Sequence, residues 1–248
     1  YEAYLNGQKI GDHVLDPGFT TYARQTLYVV HDITSLLKRG NNVAGIQLGN
    51  GWWNPLPFKF FGRWDLRDYQ QSGQPCVKAE IQVRYNDGSI EKIVTDESWQ
   101  VAPGPVVRNN VYIGEHYDAR LERKDWLLSK TSGAWKNAES VRGPFGQLSV
   151  QMQPAIKVTR VLKPVSLIEF KPGIYIADMG QNFAGVARIR VKGPAGTKIT
   201  MRFGEALFDD GSMNVMTSVA TQIKKGGIKA GPGAPETMWQ EDSYILKG

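Results

Sequence analysis

Cysteine is almost absent from this 248-residue chain, where Cys76 stands alone. No disulfide can form within it, and a cysteine-built zinc site is excluded. The lone thiol does not fix a compartment. Histidine is nearly as scarce. His13, His31 and His116 fall in separate segments, and no HExxH or other paired-histidine spacing gives a zinc hydrolase any support. No apolar run approaches the ~18 residues of a membrane helix, so no membrane partner is expected. There is no GxSxG elbow and no phosphate-cradling P-loop. No helical pattern of 10–15 residues alternates with the strands, which argues against a parallel α/β fold. The net charge is +6. Lysine and arginine are nevertheless scattered, and the densest late group, Lys224, Lys225 and Lys229, has no aromatics interleaved. No nucleic-acid partner is expected.

The chain does have many turns and a dominant period of two. Its 27 glycines and 13 prolines punctuate many short apolar–polar alternations. Residues 81–85 and 90–94 alternate, and Asn86-Asp87-Gly88-Ser89 between them carries the Asp-Gly signal of a tight hairpin. Residues 186–191 and 198–203, joined by Gly193-Pro194-Ala195-Gly196, read as a second hairpin. Residues 43–48 and 158–162 read as further strands. The best helical signal is 32–40, about two turns long, with Asp32 as cap, Lys38 and Arg39 at its end and Gly40 as terminator. The expected fold is all-β, with two antiparallel β-sandwich domains of jelly-roll or galactose-binding-like type and very little helix. The units are expected at 1–153 and 154–248, with a Gly-rich loop over 226–233.

Paired carboxylates can hydrolyse glycosides. Glu115, Asp118, Asp178, Glu205, Asp209 and Asp210 are available, but each has a plainer reading. Asp209-Asp210-Gly211 is turn chemistry, and Asp118-Ala119-Arg120 is a local ion pair. Binding is better served by residues 49–67. Asn50, Trp52, Trp53 and Asn54 are followed by Phe58, Phe60, Phe61, Arg63, Trp64, Asp65 and Arg67. A sugar stacks its apolar face on an aromatic ring while amides and charged groups hold its hydroxyls. The carbohydrate-binding candidates are therefore Asn50, Trp52, Trp53, Asn54, Arg63 and Trp64, weighed against rings that merely cap a sandwich core. In an extended segment Trp52 and Trp53 would face opposite ways. Asp178, Gln181 and Asn182, bracketed by glycines, form a second polar cluster, read as structural and as tying its loop to neighbouring strands by buried hydrogen bonds.

Several of these motifs carry a family resemblance. Asn6-Gly7, Gly11-Asp12, Pro17-Gly18, Tyr22, Asp32, Thr34 and Gly49-Asn50-Gly51-Trp52, followed by the GExYDAR-like run Gly114-Glu115-His116-Tyr117-Asp118-Ala119-Arg120, resemble the N-terminal β-sandwich module of bacterial α-L-rhamnosidases, glycoside hydrolase family 78. The run of residues 178–185, with Glu205, Asp210-Gly211 and residues 242–248, resembles the β domain that follows. The resemblance implies a parent enzyme that removes terminal α-L-rhamnose with inversion. It places the catalytic acid and base on an (α/α)6 barrel outside this chain, so no residue here is expected to be catalytic. The implied partners are that barrel and an L-rhamnose-containing glycan. Relatives in carbohydrate-binding module family 67 bind rhamnose with calcium, which makes calcium a possible ligand. Asn50 stands where members of the rhamnosidase family often carry Asp, which weakens a charged calcium site there. A β fragment with open strand edges is also expected to dimerise or exchange strands.

Overall fold

The computed structural model describes residues 1–55, 67–123, 125–128, 133–219 and 240–248 in full, and the backbone alone of 59–60 and 64–66. Seventeen short strands account for nearly all regular structure. The first half holds β1 (Glu2–Leu5), β2 (Gln8–Lys9), β3 (Gln25–Tyr28), β4 (Ala44–Gln47), β5 (Lys59–Phe60), β6 (Trp64–Asp65), β7 (Glu80–Arg84), β8 (Ile90–Val94), β9 (Gln100–Val101), β10 (Val106–Asn110) and β11 (Gly114–Asp118). The remainder are β12 (Lys136–Asn137), β13 (Gln147–Val150), β14 (Ser166–Lys171), β15 (Ile174–Asp178), β16 (Lys198–Arg202) and β17 (Glu241–Ile245). Helix is confined to single turns, at Thr34–Leu36, Leu66–Tyr69, Ala119–Leu121 and Val215–Ser218. The all-β expectation holds.

Local chemistry explains the hairpins. β7 and β8 pair antiparallel, with Gly88 at φ 87° and the Tyr85 amide donating to the Ser89 carbonyl at 2.9 Å. β1 and β2 turn on Asn6 (φ 53°) and Gly7 (φ 84°), the paired positive angles that an Asn-Gly hairpin requires. The segment read as a two-turn helix shrinks to one 3₁₀ turn. The Asp32 carboxylate still receives the Thr34 amide and hydroxyl at 2.9 and 2.6 Å.

Non-local pairing departs from the sequence reading. Residues 186–191 form no strand, although the 193–196 turn forms, with Gly196 at φ 86°. β16 pairs instead with β17, Lys198 opposite Ile245 and Arg202 opposite Glu241, and Arg202 Nε donates to Glu241 at 2.7 Å. Alternation identifies a strand but leaves its partner open. Residues 158–162 likewise form no strand, and just before them the chain is tied by the His13–Lys157 bridge, with the Val14 amide donating to the Ile156 carbonyl at 2.9 Å. Two pairings are parallel, β13 on β3 and β17 on β11. The largest sheet runs β10-β11-β17-β16, so the last strand of the chain sits between one from the first half and one from the second.

Tight burial is sparse and lies mostly in the first half. Among the described residues the fully buried apolar side chains are Leu5, Leu27, Ile113, Ala119, Leu246 and Pro55. The chain exposes 18,031 Å², against about 11,000 Å² for a folded monomer of this mass.

Candidate carbohydrate-contact site

The loop after β4 carries the richest group of polar and aromatic side chains. Residues 51–53 form a turn rather than an extended segment, and the Asn54 amide donates to the Asn50 carbonyl at 3.0 Å. The two tryptophans still part company. Trp52 lies 5.0 Å from Phe19 and edge-on to Tyr112 at 5.3 Å, ring centre to ring centre. Trp53 meets Tyr22 edge-on at 5.4 Å, and its indole N–H donates to the Gln74 carbonyl at 2.8 Å. Gly73 makes room for that indole, because a Cβ there would stand 2.7 Å from the ring. Phe19 also packs edge-on against Tyr22 at 5.6 Å, which links both tryptophans into one aromatic cluster.

The amides of this loop brace it. The Asn50 main-chain N–H donates to Asn109 Oδ1 at 2.8 Å, and its side chain returns a bond to the Asn109 carbonyl at 2.9 Å. Asn54 Nδ2 donates to Asn50 Oδ1 at 2.8 Å. Arg67 reaches back to Asn54 Oδ1 at 2.9 Å and to the carbonyl of buried Pro55 at 2.7 Å. Asn50, Trp52, Trp53 and Asn54 are thus brought together. Trp64 lies in β6, opposite Phe60 of β5, and Arg63 lies outside the described residues. Residues that sequence reasoning did not join to the cluster are Phe19, Tyr22, Gln74, Asn109 and Tyr112, which arrive from other segments.

A half-buried aromatic face edged by amides can stack a sugar ring. Phe19, 49% exposed, is its open part. Burial pushes the hydroxyls of Tyr22 and Tyr112 above the ordinary tyrosine range, so both stay protonated at neutral pH. Residues 49–55 and 109–112 contain no carboxylate. A calcium ion there would meet neutral oxygens only, a weak offer for a cation that takes 6–8 oxygen ligands.

The polar cluster at 178–182 lies exposed rather than buried. Asp178 accepts the Gly180 amide at 2.7 Å, Asn182 donates to Glu205 at 3.2 Å, and Gln181 is exposed. Asp210 accepts the Ser212 amide at 2.9 Å, the turn chemistry read from its neighbours.

The GExYDAR-like run forms a seam. Gly114 sits at φ 80°, and a Cβ there would stand 2.5 Å from both the Glu241 carbonyl and the Asp242 carboxylate. The Glu115 amide donates to Asp242 at 2.8 Å. Tyr117 stacks on Tyr244 at 5.1 Å, nearly parallel, and its hydroxyl donates to Glu122 at 3.0 Å. Arg120 caps buried Asp118 through its backbone N–H and its guanidinium at 2.7–3.0 Å, which holds that carboxyl below its ordinary range. Burial, with Asp242 and Glu2 nearby, pushes Glu115 the opposite way. Gly114, Glu115 and Tyr117 join β11 to β17, while Asp118 and Arg120 close the turn that follows.

Among the described residues the chain is built from short sheets with no closed barrel, and the aromatic–amide loop follows β4. The profile of the α-L-rhamnosidase N-terminal domain matches residues 1–160, and that of the bacterial α-L-rhamnosidase concanavalin-like domain matches residues 168–248. The chain therefore belongs to the bacterial α-L-rhamnosidase family, as the motif resemblance implied. An α-L-rhamnosidase of Formosa agariphila is 38% identical over 250 residues, which is all of this chain and 25% of that protein. One from Streptomyces avermitilis is 33% identical over 229 residues, covering 89% of this chain and 21% of the relative. Two solved structures match the whole chain. The α-L-rhamnosidase of Dictyoglumus thermophilum gives a TM-score of 0.81 at 34% identity, with 25% of that chain covered. That of S. avermitilis complexed with L-rhamnose gives 0.83 at 29%, with 22% covered. The chain thus spans about a quarter of the length of these relatives.

Proposed function

We propose that this chain is the non-catalytic β platform of an inverting α-L-rhamnosidase acting on plant glycosides or polysaccharides, and that its sheets hold the catalytic (α/α)6 barrel. The observation that carries this reading is the bareness of the second half. Adjacent strand residues face opposite ways, yet Leu167 and Ile168 of β14 are 64% and 49% exposed. Both faces of the β14–β15 hairpin are therefore apolar and uncovered. A two-stranded hairpin is marginal alone in water and gains stability by packing against another layer. Val161, Val165, Ile174 and Val186 are also open to solvent. The quarter-length match to the relatives leaves ample chain for the covering domain.

The test is hydrolysis of a chromogenic α-L-rhamnoside. The chain alone is expected to be inert, and the chain joined to the downstream remainder of its own reading frame is expected to be active. Turnover by the chain alone, abolished by one carboxylate substitution within it, would overturn the proposal.

A second reading is rhamnose binding at the aromatic loop, with or without calcium, and the half-exposed ring of Phe19 beside Trp52 favours it. The relative from S. avermitilis was solved with L-rhamnose. Calorimetry at millimolar L-rhamnose, with and without calcium, decides it. Heat that is lost in Phe19→Ala supports this reading, and no heat removes it.

A further inference from the structure

Sequence spacing keeps the histidines apart, but the fold does not. The loop before β3 and the segment after it bring His13 and His31 within 5.2 Å, ring centre to ring centre. Asp16 joins them, and one ligand atom from each of the three residues lies within 4.8 Å of the others. We propose that His13, Asp16 and His31 form a site for one divalent transition-metal ion of the zinc, cobalt or nickel type, which staples the 11–17 loop to the chain beyond β3.

The donor chemistry selects the ion. Two imidazole nitrogens and one carboxylate oxygen suit borderline first-row ions, whereas calcium and magnesium prefer all-oxygen shells. Ligand atoms about 2.1 Å from a tetrahedral ion stand some 3.4 Å apart, so small side-chain rotations close the present spacing. Asp16 is the centre of the arrangement, its side chain only 5% exposed. Among the described residues no lysine or arginine pairs with it. Its carboxylate faces His13 Nδ1 at 2.6 Å on one oxygen, and Gln151 Nε2 donates to the other at 3.3 Å. The Tyr1 ammonium donates to the Asp16 carbonyl at 2.8 Å and faces the residue with one positive charge; buried carboxylates are costly unless cations or several donors answer them, and a metal ion would bind the carboxylate oxygens directly.

The surroundings have the features of a supporting shell. Gln151 steadies the carboxylate, as outer partners of metal ligands do. The Tyr1 hydroxyl lies 3.1 Å from His31 Nε2 and orients that ring. Gly11, at φ 68°, leaves room for it, since a Cβ there would press on His31 at 3.0 Å. Of the three ligands, His13 also lines a depression of about 330 Å³ together with Val30, Val150, Gln151 and Lys157. Lys157 is held away by Asp12, at 2.9 Å. The ion would thus fix the 11–17 loop against the strand ends that also carry β13.

Metal-free full chain, without a polyhistidine tag, is titrated with zinc and with cobalt by calorimetry and visible spectroscopy. One ion should bind per chain, cobalt should show the strong visible bands of a low-coordinate nitrogen–oxygen site, and calcium should not compete. At a hundredfold excess over Kd the unfolding midpoint should rise by about 5–10 °C. His31→Gln and Asp16→Asn should each weaken binding at least tenfold, while His116→Gln, remote from the cluster, should leave it unchanged. Should Asp16→Asn fail to fold, His31→Gln, on the rim of the site, decides alone. Binding as tight in His31→Gln as in the parent chain, or none at 100-fold metal over protein, would overturn the proposal.

Discussion

The two halves of the molecule use the same strand chemistry and end in different states. In the first half, strands, turns and loops answer one another. Leu5, Leu27, Ile113 and Ala119 are buried, and buried Asp16 and Asp118 have partners, while Asn110 accepts the Tyr112 amide and leaves its Nδ2 unanswered. Among the described residues beyond 157 the buried side chains are Ser243 and Leu246, both belonging to or following β17, which is lodged beside β11 of the first half. The β14–β15 hairpin is as well paired as β7–β8, and both leave apolar side chains open, Ile90 and Ile93 in the one and Leu167 and Ile168 in the other. Backbone pairing and core formation are therefore separable here. Hydrogen bonding shapes the second half, and its own strands bury little apolar surface.

The seam at Gly114 is the sharpest place to break this comparison. Gly114→Val forces a side chain onto the Glu241 carbonyl at a positive φ, and about 3–5 kcal/mol of lost stability is expected. Release of the 240–248 segment should appear as faster hydrogen exchange there. Leu27→Ala, in the buried half, should cost about 2–4 kcal/mol by urea unfolding. Leu167→Ala should change the isolated chain by less than about 0.5 kcal/mol. Its cost should rise well above that once the downstream chain is joined, and an equal cost in both forms would end the contrast. Two carboxylates on one strand should titrate with opposite signs. Asp118 is depressed, so its contribution is present above the ordinary carboxylate range and fades as pH falls through its lowered value. Asp118→Asn should flatten the acid limb of the stability profile below about pH 4. Glu115 is raised, so its ionised form works against folding and is relieved as pH falls. Glu115→Gln should therefore raise the unfolding midpoint slightly at pH 7 and leave little change once the parent's Glu115 is protonated. That is the smallest effect of the set.

What sequence could reveal followed the range of the interaction. The Asp87-Gly88 turn, the strand at 44–47, the Asp32 cap and the Asp118–Arg120 pair are local and legible. The Asn6-Gly7 turn was equally legible as a hairpin signal, and it drew notice only as a family motif. β16 was correctly seen as a strand, but its partner lies 38 residues or more further on, and no periodicity encodes that choice. The same limit applied to the site. Asn50, Trp52 and Trp53 announce themselves by composition, whereas Phe19, Asn109 and Tyr112 join them only through folding. His13 and Asp16 are three apart on an irregular loop, and nothing in that spacing points to His31.

The insertion of β17 between β11 and β16 has a consequence during synthesis. β11 leaves the ribosome roughly 120 residues before its neighbour exists, an interval of about 6–25 seconds at ordinary elongation rates. Throughout that time the nascent chain carries an unsatisfied strand border, and β17 acts as the latch that closes it. Polypeptides released early would retain a sticky edge, and pauses in translation within that interval would lengthen the exposure.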